Sequence, residues 1–165
     1  MNIPPPTRHF YLGLVLALVI FIADQASKFA LVDLLVEKGN AGIDVLPFFK
    51  LVMVWNQGIS FGMFSDSGEM RKYLLIGMAL AITALMVGWM WRAQTRLLTT
   101  ALAFVIGGAI GNVIDRFRWG AVADFFYFHH GEWFWPAFNI ADSAIFIGVV
   151  LLCWESIVNP DKKST

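Results

Sequence analysis

Residues 73–115 read YLLIGMALAITALMVGWMWRAQTRLLTTALAFVIGGAIGNVID. No charged side chain interrupts residues 73–91. A helix rising about 1.5 Å per residue carries such a run across the roughly 30 Å hydrocarbon core of a bilayer. Arg92 and Arg96 bracket a turn too short for anything but a hairpin, and a second apolar run fills residues 97–114. The stretch therefore reads as two antiparallel membrane spans. Ala103, Gly107 and Gly111 recur at every fourth position of the second, with Gly108 beside them. Such a stripe of small residues lets a neighbouring helix approach closely. The run ends on Gly111-Asn112-Val113-Ile114-Asp115-Arg116, in which an amide and a carboxylate three positions apart share one helical face.

Toward the C-terminus, residues 116–136 form a non-membrane segment with turn points at Gly120 and Gly131. It carries a further carboxylate, Asp124, in Ala121-Val122-Ala123-Asp124-Phe125-Phe126, and aromatic runs at 125–128 and 133–135 that suit headgroup level. A second Asn-x-x-Asp follows in Phe138-Asn139-Ile140-Ala141-Asp142-Ser143, and Pro136 is read as opening a span over 137–157. Toward the N-terminus, residues 33–70 are the largest polar region. Residues 49–55 are β-branched and aromatic enough for a strand, and Asn56-Gln57-Gly58 signals a turn. Asn56 reads equally as a turn residue and as an amide for a substrate backbone. Residues 59–64 suggest a strand or a flat amphipathic stretch on the membrane surface.

The first span is read over 10–32. Its apolar run, 10–23, is too short alone and becomes long enough only through Asp24-Gln25-Ala26-Ser27-Lys28. Asp24 and Lys28 can pair along the helix. They either soften the span's outer end, with Lys28 snorkelling to headgroups, or support a site. A cleaved signal peptide is the competing reading, but no small-x-small cleavage site follows the run. Residues 1–7, with three prolines, read as an extended tail in which Thr7 caps the first helix.

Composition agrees. Of 165 residues, 58% are hydrophobic and 15% charged, too apolar for an ordinary soluble domain. Lys plus Arg equals Asp plus Glu at 12 each, so no basic field points to nucleic acid. The single cysteine, Cys153, excludes an internal disulfide and reads as a small packing residue. His129-His130 has no third ligand at a matching spacing, so neither a metal nor another cofactor is expected. The expected fold is one domain, 1–165: a four-helix transmembrane bundle spanning 10–32, 73–91, 97–115 and 137–157, with segments 33–70 and 116–136 outside. Basic residues are densest in the short segments, which places both termini in the cytoplasm.

Carboxylates beside membrane-length runs are functional candidates by default, against the plainer reading that Asp115 and Asp142 cap helices or pair with Arg116. Two carboxyl groups about 3 Å apart cannot both ionise. The charged one can take a proton from water while the protonated one polarises a peptide carbonyl, which is aspartic peptidase chemistry. No Gly-x-Ser-x-Gly elbow, reactive cysteine context or His-Glu-x-x-His competes. Spacing leaves open which two of Asp115, Asp124 and Asp142 form the pair. A small transporter or channel subunit using the carboxylates as an ion or proton path, and a non-catalytic assembly subunit, are the alternatives.

The motifs Asp24-Gln25-x-x-Lys28, Asn56-Gln57-Gly58, Gly111-Asn112-x-x-Asp115-Arg116, Val122-Ala123-Asp124-Phe125 and Phe138-Asn139-Ile140-Ala141-Asp142-Ser143 come in that order across the four spans. Together they closely resemble the lipoprotein signal peptidases, or signal peptidase II. The resemblance implies an aspartic endopeptidase of the bacterial inner membrane, with its site near the extracytoplasmic face. It would remove the signal peptide from prolipoproteins, cutting just before a cysteine that carries diacylglycerol. It implies Asp124 and Asp142 as the catalytic pair. Asn112, Arg116 and Asn139 would position the pair and the substrate, and Asn56, Gly58, Asp115, Lys28 and Asp24 would bind or support. A small β cradle and a surface helix would cover the site. The expected partners are lipid-modified prolipoproteins and membrane lipids, and the expected state is a monomer.

Overall fold

A computed structural model of the chain describes residue 6, residues 8–58 and residues 68–159. The elements run α1 (Arg8–Lys38), a 3-10 turn (Gly39–Ala41), β1 (Ile43–Leu46), β2 (Phe49–Asn56), α2 (Gly68–Trp91), α3 (Arg96–Trp119), β3 (Val122–His130), β4 (Trp133–Phe138) and α4 (Ile140–Val158). All four α-helices are long and apolar enough to cross a membrane. Their outer surfaces fit that solvent: Phe29 is 82% exposed and Phe146 70%. Cys153 also lies exposed on α4 rather than packed inside.

The helices overrun the expected spans. α1 continues to Lys38 and α2 starts at Gly68, so both extend into segment 33–70. Residues 137 and 138, expected in the last span, belong instead to β4, with Phe138 opposite Phe126. Pro136 sits within that strand, which is an edge of the sheet, where a missing N–H costs no ladder bond. The helix then waits for Asn139 as its N-cap. The described residues contain no surface helix, and residues 59–64 and Thr7 lie outside them.

The sheet is antiparallel throughout, in the order β1-β2-β3-β4. β2 and β3 pair although α2 and α3 lie between them in sequence. Phe49 stacks on Phe128 at 4.8 Å between ring centroids. His129 stacks on Tyr127 at 5.7 Å, and as strand neighbours His129 and His130 point to opposite faces.

α3 is the most deeply buried of the helices and packs on α1, α2 and α4. Its small residues explain how. Beside Gly107 lie the Ala17 carbonyl and Ile20 of α1. Beside Gly108 lie the Ala141 carbonyl and Ile145 of α4, and Gly148 of α4 returns the contact against Ala101 and Val105. A methyl at position 108 would strike α4 backbone next to Asp142. We expect Gly108→Ala to cost about 1–3 kcal/mol, the range for overpacking a tight contact. Its thermal midpoint in detergent and its activity should both fall. Gly88→Ala, where nothing lies within 4 Å, is the control. Equal melting of the two variants would show that the α3–α4 approach tolerates a side chain.

Candidate active site

Asp124 and Asp142 reach one another from different kinds of structure. Asp124 stands on β3, opposite Val54. Asp142 is in the first turn of α4. Asn139 joins them: its Nδ2 donates to Asp124 Oδ1 at 2.7 Å, and its Oδ1 accepts the Asp142 N–H at 2.9 Å. The Asp142 side chain in turn accepts the Asn139 N–H at 3.3 Å, closing a capping box. The second Asn-x-x-Asp is therefore not two residues on one helical face, since Asn139 is outside the helix as its cap. Asp142 does cap its helix, and the same carboxylate lies against Asp124, whose environment it alters by charge and by hydrogen bonding.

Backbone donors fix the amide orientations. Asn139 Oδ1 is held by the Asp142 N–H and Asn56 Oδ1 by the Gly58 N–H at 2.9 Å. Each NH2 must therefore face outward to an acceptor. Asn56 Nδ2 donates to Asp124 Oδ2 at 3.0 Å. Asn56 pairs with Val122 in the sheet, so Asp124 is its diagonal neighbour on the same face. The turn reading of Asn56 fits, since its oxygen makes the turn for which Gly58 adopts φ +86°; its NH2 holds the Asp124 carboxyl group rather than lying free for a substrate backbone. Asn112 Nδ2 donates to Asp142 Oδ1 at 2.8 Å. Asp124 is 1% exposed, beside buried Val122 and Phe125. Burial, then the charge of Asp142, push its carboxyl from 3.8 up to about 7, against the two amide hydrogen bonds that pull it down.

The first Asn-x-x-Asp divides its labour. Asn112 faces the carboxyl pair, whereas Asp115 turns to Lys28 at 2.6 Å and to the Ala123 N–H at 3.2 Å. Gly120, at φ +77° with its N–H on the Arg116 carbonyl, ends α3 and turns the chain back so that Ala123 meets Asp115. Lys28 also pairs with Asp24 at 2.8 Å, and all three side chains are fully buried, so Lys28 does not snorkel. Asp24 Oδ1 accepts the Ala141 N–H at 3.0 Å. Arg116 Nη1 donates to the Asn112 carbonyl at 3.2 Å, within electrostatic reach of Asp142, Asp115 and Asp124.

Two residues at the site were given no role from sequence. Gln25 Nε2 bonds Asp24 and Asp115, each at 3.1 Å; an amide inside an apolar run was the available signal. Arg71 Nη2 donates to Gln57 Oε1 at 2.7 Å and lines, with Asn56, Gly58 and Asp124, a cavity of about 370 Å3. At the end of a span it reads as an ordinary headgroup anchor. On the other side, Asp142 and Ser143 border an apolar cavity of about 360 Å3 with Trp135, Phe138, Phe146 and Ile147.

Known proteins resemble this chain in sequence and fold. The signal peptidase (SPase) II family pattern matches residues 16–158. A lipoprotein signal peptidase of Methylobacterium sp. (strain 4-46) is 41% identical over 91% of both chains. One of Nitrobacter hamburgensis is 43% identical over 88% of this chain and 92% of its own. A bacterial membrane enzyme structure obtained by the in meso method at 2.3 Å resolution superposes with a TM-score of 0.75 and 25% identity, covering 99% of each chain. A second, at 1.9 Å, gives 0.79 and 24% over 96% of this chain, a likeness of fold. With the family pattern covering most of the sequence and the four membrane-length helices in place, the chain belongs to the signal peptidase II family and is a membrane peptidase.

Proposed function

We propose that this peptidase is an aspartic endopeptidase of the bacterial inner membrane that removes signal peptides from prolipoproteins, cutting just before the cysteine that carries diacylglycerol. The observation that carries the reading is the meeting of Asp124 and Asp142 across Asn139. In the proposed reaction Asp142 takes a proton from water, and the water oxygen attacks the scissile carbonyl carbon. Asp124, protonated near neutrality, gives its proton to the carbonyl oxygen. Collapse of the tetrahedral intermediate breaks the C–N bond as the proton on Asp142 passes to the leaving amine and one hydroxyl proton returns to Asp124, restoring the starting state of the pair. Asn112, Asn139 and Asn56 hold the two carboxyl groups, and Arg116 offers a planar fork to substrate carbonyls. Asp24, Lys28 and Asp115 support them, and Gly58 shapes the turn that holds Asn56. Every one of these groups comes from one chain, in keeping with a monomer.

The test is cleavage of a purified lipid-modified prolipoprotein by the purified protein, with the product's new N-terminus sequenced. An intact precursor, or a new N-terminus elsewhere than the lipid-modified cysteine, overturns the reading. Nothing favours the ion-path alternative over it. The proposed orientation puts both termini and residues 92–96 in the cytoplasm and the sheet outside. In a Cys153→Ser background, a cysteine at Gln94 should resist membrane-impermeant label in intact cells and one at Gly131 should react. The reverse pattern inverts the topology.

A further inference from the structure

Three fully buried charges lie beneath the proposed dyad without touching it. Lys28 of α1 sits between Asp24 of the same helix and Asp115 of α3, at 2.8 and 2.6 Å. The carboxylates turn their remaining capacity to two backbone N–H groups. Asp115 Oδ2 accepts from Ala123 at 3.2 Å, and Asp24 Oδ1 accepts from Ala141 at 3.0 Å. Ala123 immediately precedes Asp124, and Ala141 immediately precedes Asp142. The arrangement is the same on both sides: a cation, a carboxylate, the N–H of the preceding residue, then a dyad carboxyl. Gln25 Nε2 ties the two carboxylates together again at 3.1 Å each.

We infer that Lys28 is a positioning residue: through Asp24 and Asp115 it sets the separation of Asp124 and Asp142. The inference rests on the dyad proposed above. A buried ion triad is a poor source of stability, because the desolvation of its members offsets their attraction. It is a good source of distance. An ammonium group held at hydrogen-bond length from two carboxylates leaves little freedom in how far apart they lie. On its other side the Asp24 carboxylate lies directly against Gly111 of α3, with no room for a Cβ between them, so it cannot move closer to that helix. The strand bearing Asp124 and the helix bearing Asp142 are thus both referenced to one point on α1.

Two mirror-image double variants test this: Lys28→Met/Asp115→Asn and Lys28→Met/Asp24→Asn. Each removes one positive and one negative charge, so the local charge stays as in the wild type. In each, an amide oxygen can still accept the backbone N–H. The groups facing the dyad, namely Arg116, the remaining Asp24 or Asp115, and Arg71 across the cavity, are unchanged. Full-length protein in detergent is assayed on lipid-modified precursor, with a melting curve and a pH profile for each. The expected result is a kcat lower by about 10²-fold, as for a misplacement of about 1 Å at reacting groups, with KM within about twofold. The upper pH limb should move down, because a wider pair lets Asp142 raise Asp124 less. A folded double variant with wild-type kcat and pH limb overturns the inference. So does loss of folding in both, since the triad would then hold the bundle and not the dyad. If the wild type itself leaves the precursor intact, the peptidase reading fails first and takes this assignment with it.

Discussion

Asp124→Asn and Asp142→Asn should each lower turnover of lipid-modified precursor by about 10²–10⁴-fold or more, the loss expected when a general acid or base is removed. Both proteins should insert and fold. An amide keeps the carboxyl's shape, but its NH2 must face one of the donors that the two oxygens now accept, Asn139 and Asn56 at position 124 or Asn112 and the Asn139 N–H at position 142, so each variant should fold with a lowered melting temperature. Asp115→Asn should separate from them. Its carboxylate answers Lys28 and the Ala123 N–H, so its loss leaves a buried cation with one partner and lowers yield and melting temperature. Part of the activity should survive in what folds. Turnover normalised to folded protein, for the three variants together, is the measurement. A well-folded, dead Asp115→Asn beside an active Asp124→Asn would move the dyad to Asp115 and Asp142.

The pH dependence follows from the same pair. With the Asp124 carboxyl pushed up to about 7, activity should fall as pH rises through that region, because the shared proton leaves; the apparent value belongs to the pair. The sign for stability is also fixed. The folded-state value lies above the ordinary 3.8, so the native protein binds this proton more tightly than the unfolded chain. That contribution is full below 3.8 and is lost as pH rises through about 7. The wild-type midpoint should therefore fall relative to that of Asp124→Asn between about pH 5 and pH 8, and a difference that stays constant would refute the proposed strain at Asp124.

Removing the diacylglycerol from the substrate should be as damaging as removing an acid. The cavity beside Asp142 is walled by Trp135, Phe138, Phe146 and Ile147, and Phe146 is 70% exposed on the membrane face of α4. A chain arriving through lipid meets Asp142 from that side. Each methylene buried contributes about 0.8 kcal/mol, so four held in the cavity account for about 10²-fold in kcat/KM. Equal cleavage of the unlipidated and lipidated precursors would refute the substrate reading.

The spans were legible because apolar runs of that length have one economical solution in a bilayer. So were a close helix approach to α3, from the glycines, though not which helices make it, and the strand at 49–55, from its β-branched residues. The start of α4 was misread at Pro136, because a proline suits an edge strand as well as a first helical turn, and only pairing with β3 decides. Cys153 was misread because an apolar helix has no polar face to tell lipid side from packed side. At the site, the residue types were visible but their division was not. Asn112-x-x-Asp115 and Asn139-x-x-Asp142 look alike in one dimension. One lies inside a helix that two neighbours share, the other straddles a helix boundary, and that difference is tertiary. Lys28 could be read as a headgroup anchor until Asp115 was found opposite it.

The ion pair within α1 also bears on how the chain is made. Asp24 and Lys28 sit one turn apart on α1, which is made before α3 and α4, so each can enter the bilayer with its counter-charge already attached. A lone carboxylate or ammonium at that depth would carry a penalty of several kcal/mol. As synthesis proceeds, Lys28 gains Asp115 when α3 arrives, and Asp24 gains the Ala141 amide when the start of α4 follows. The nascent chain therefore carries a provisional pairing that later helices build, without breaking it, into the buried triad beneath the proposed dyad. On the proposed assignment the two carboxyl groups can meet only after the chain has been made as far as α4, which carries Asp142.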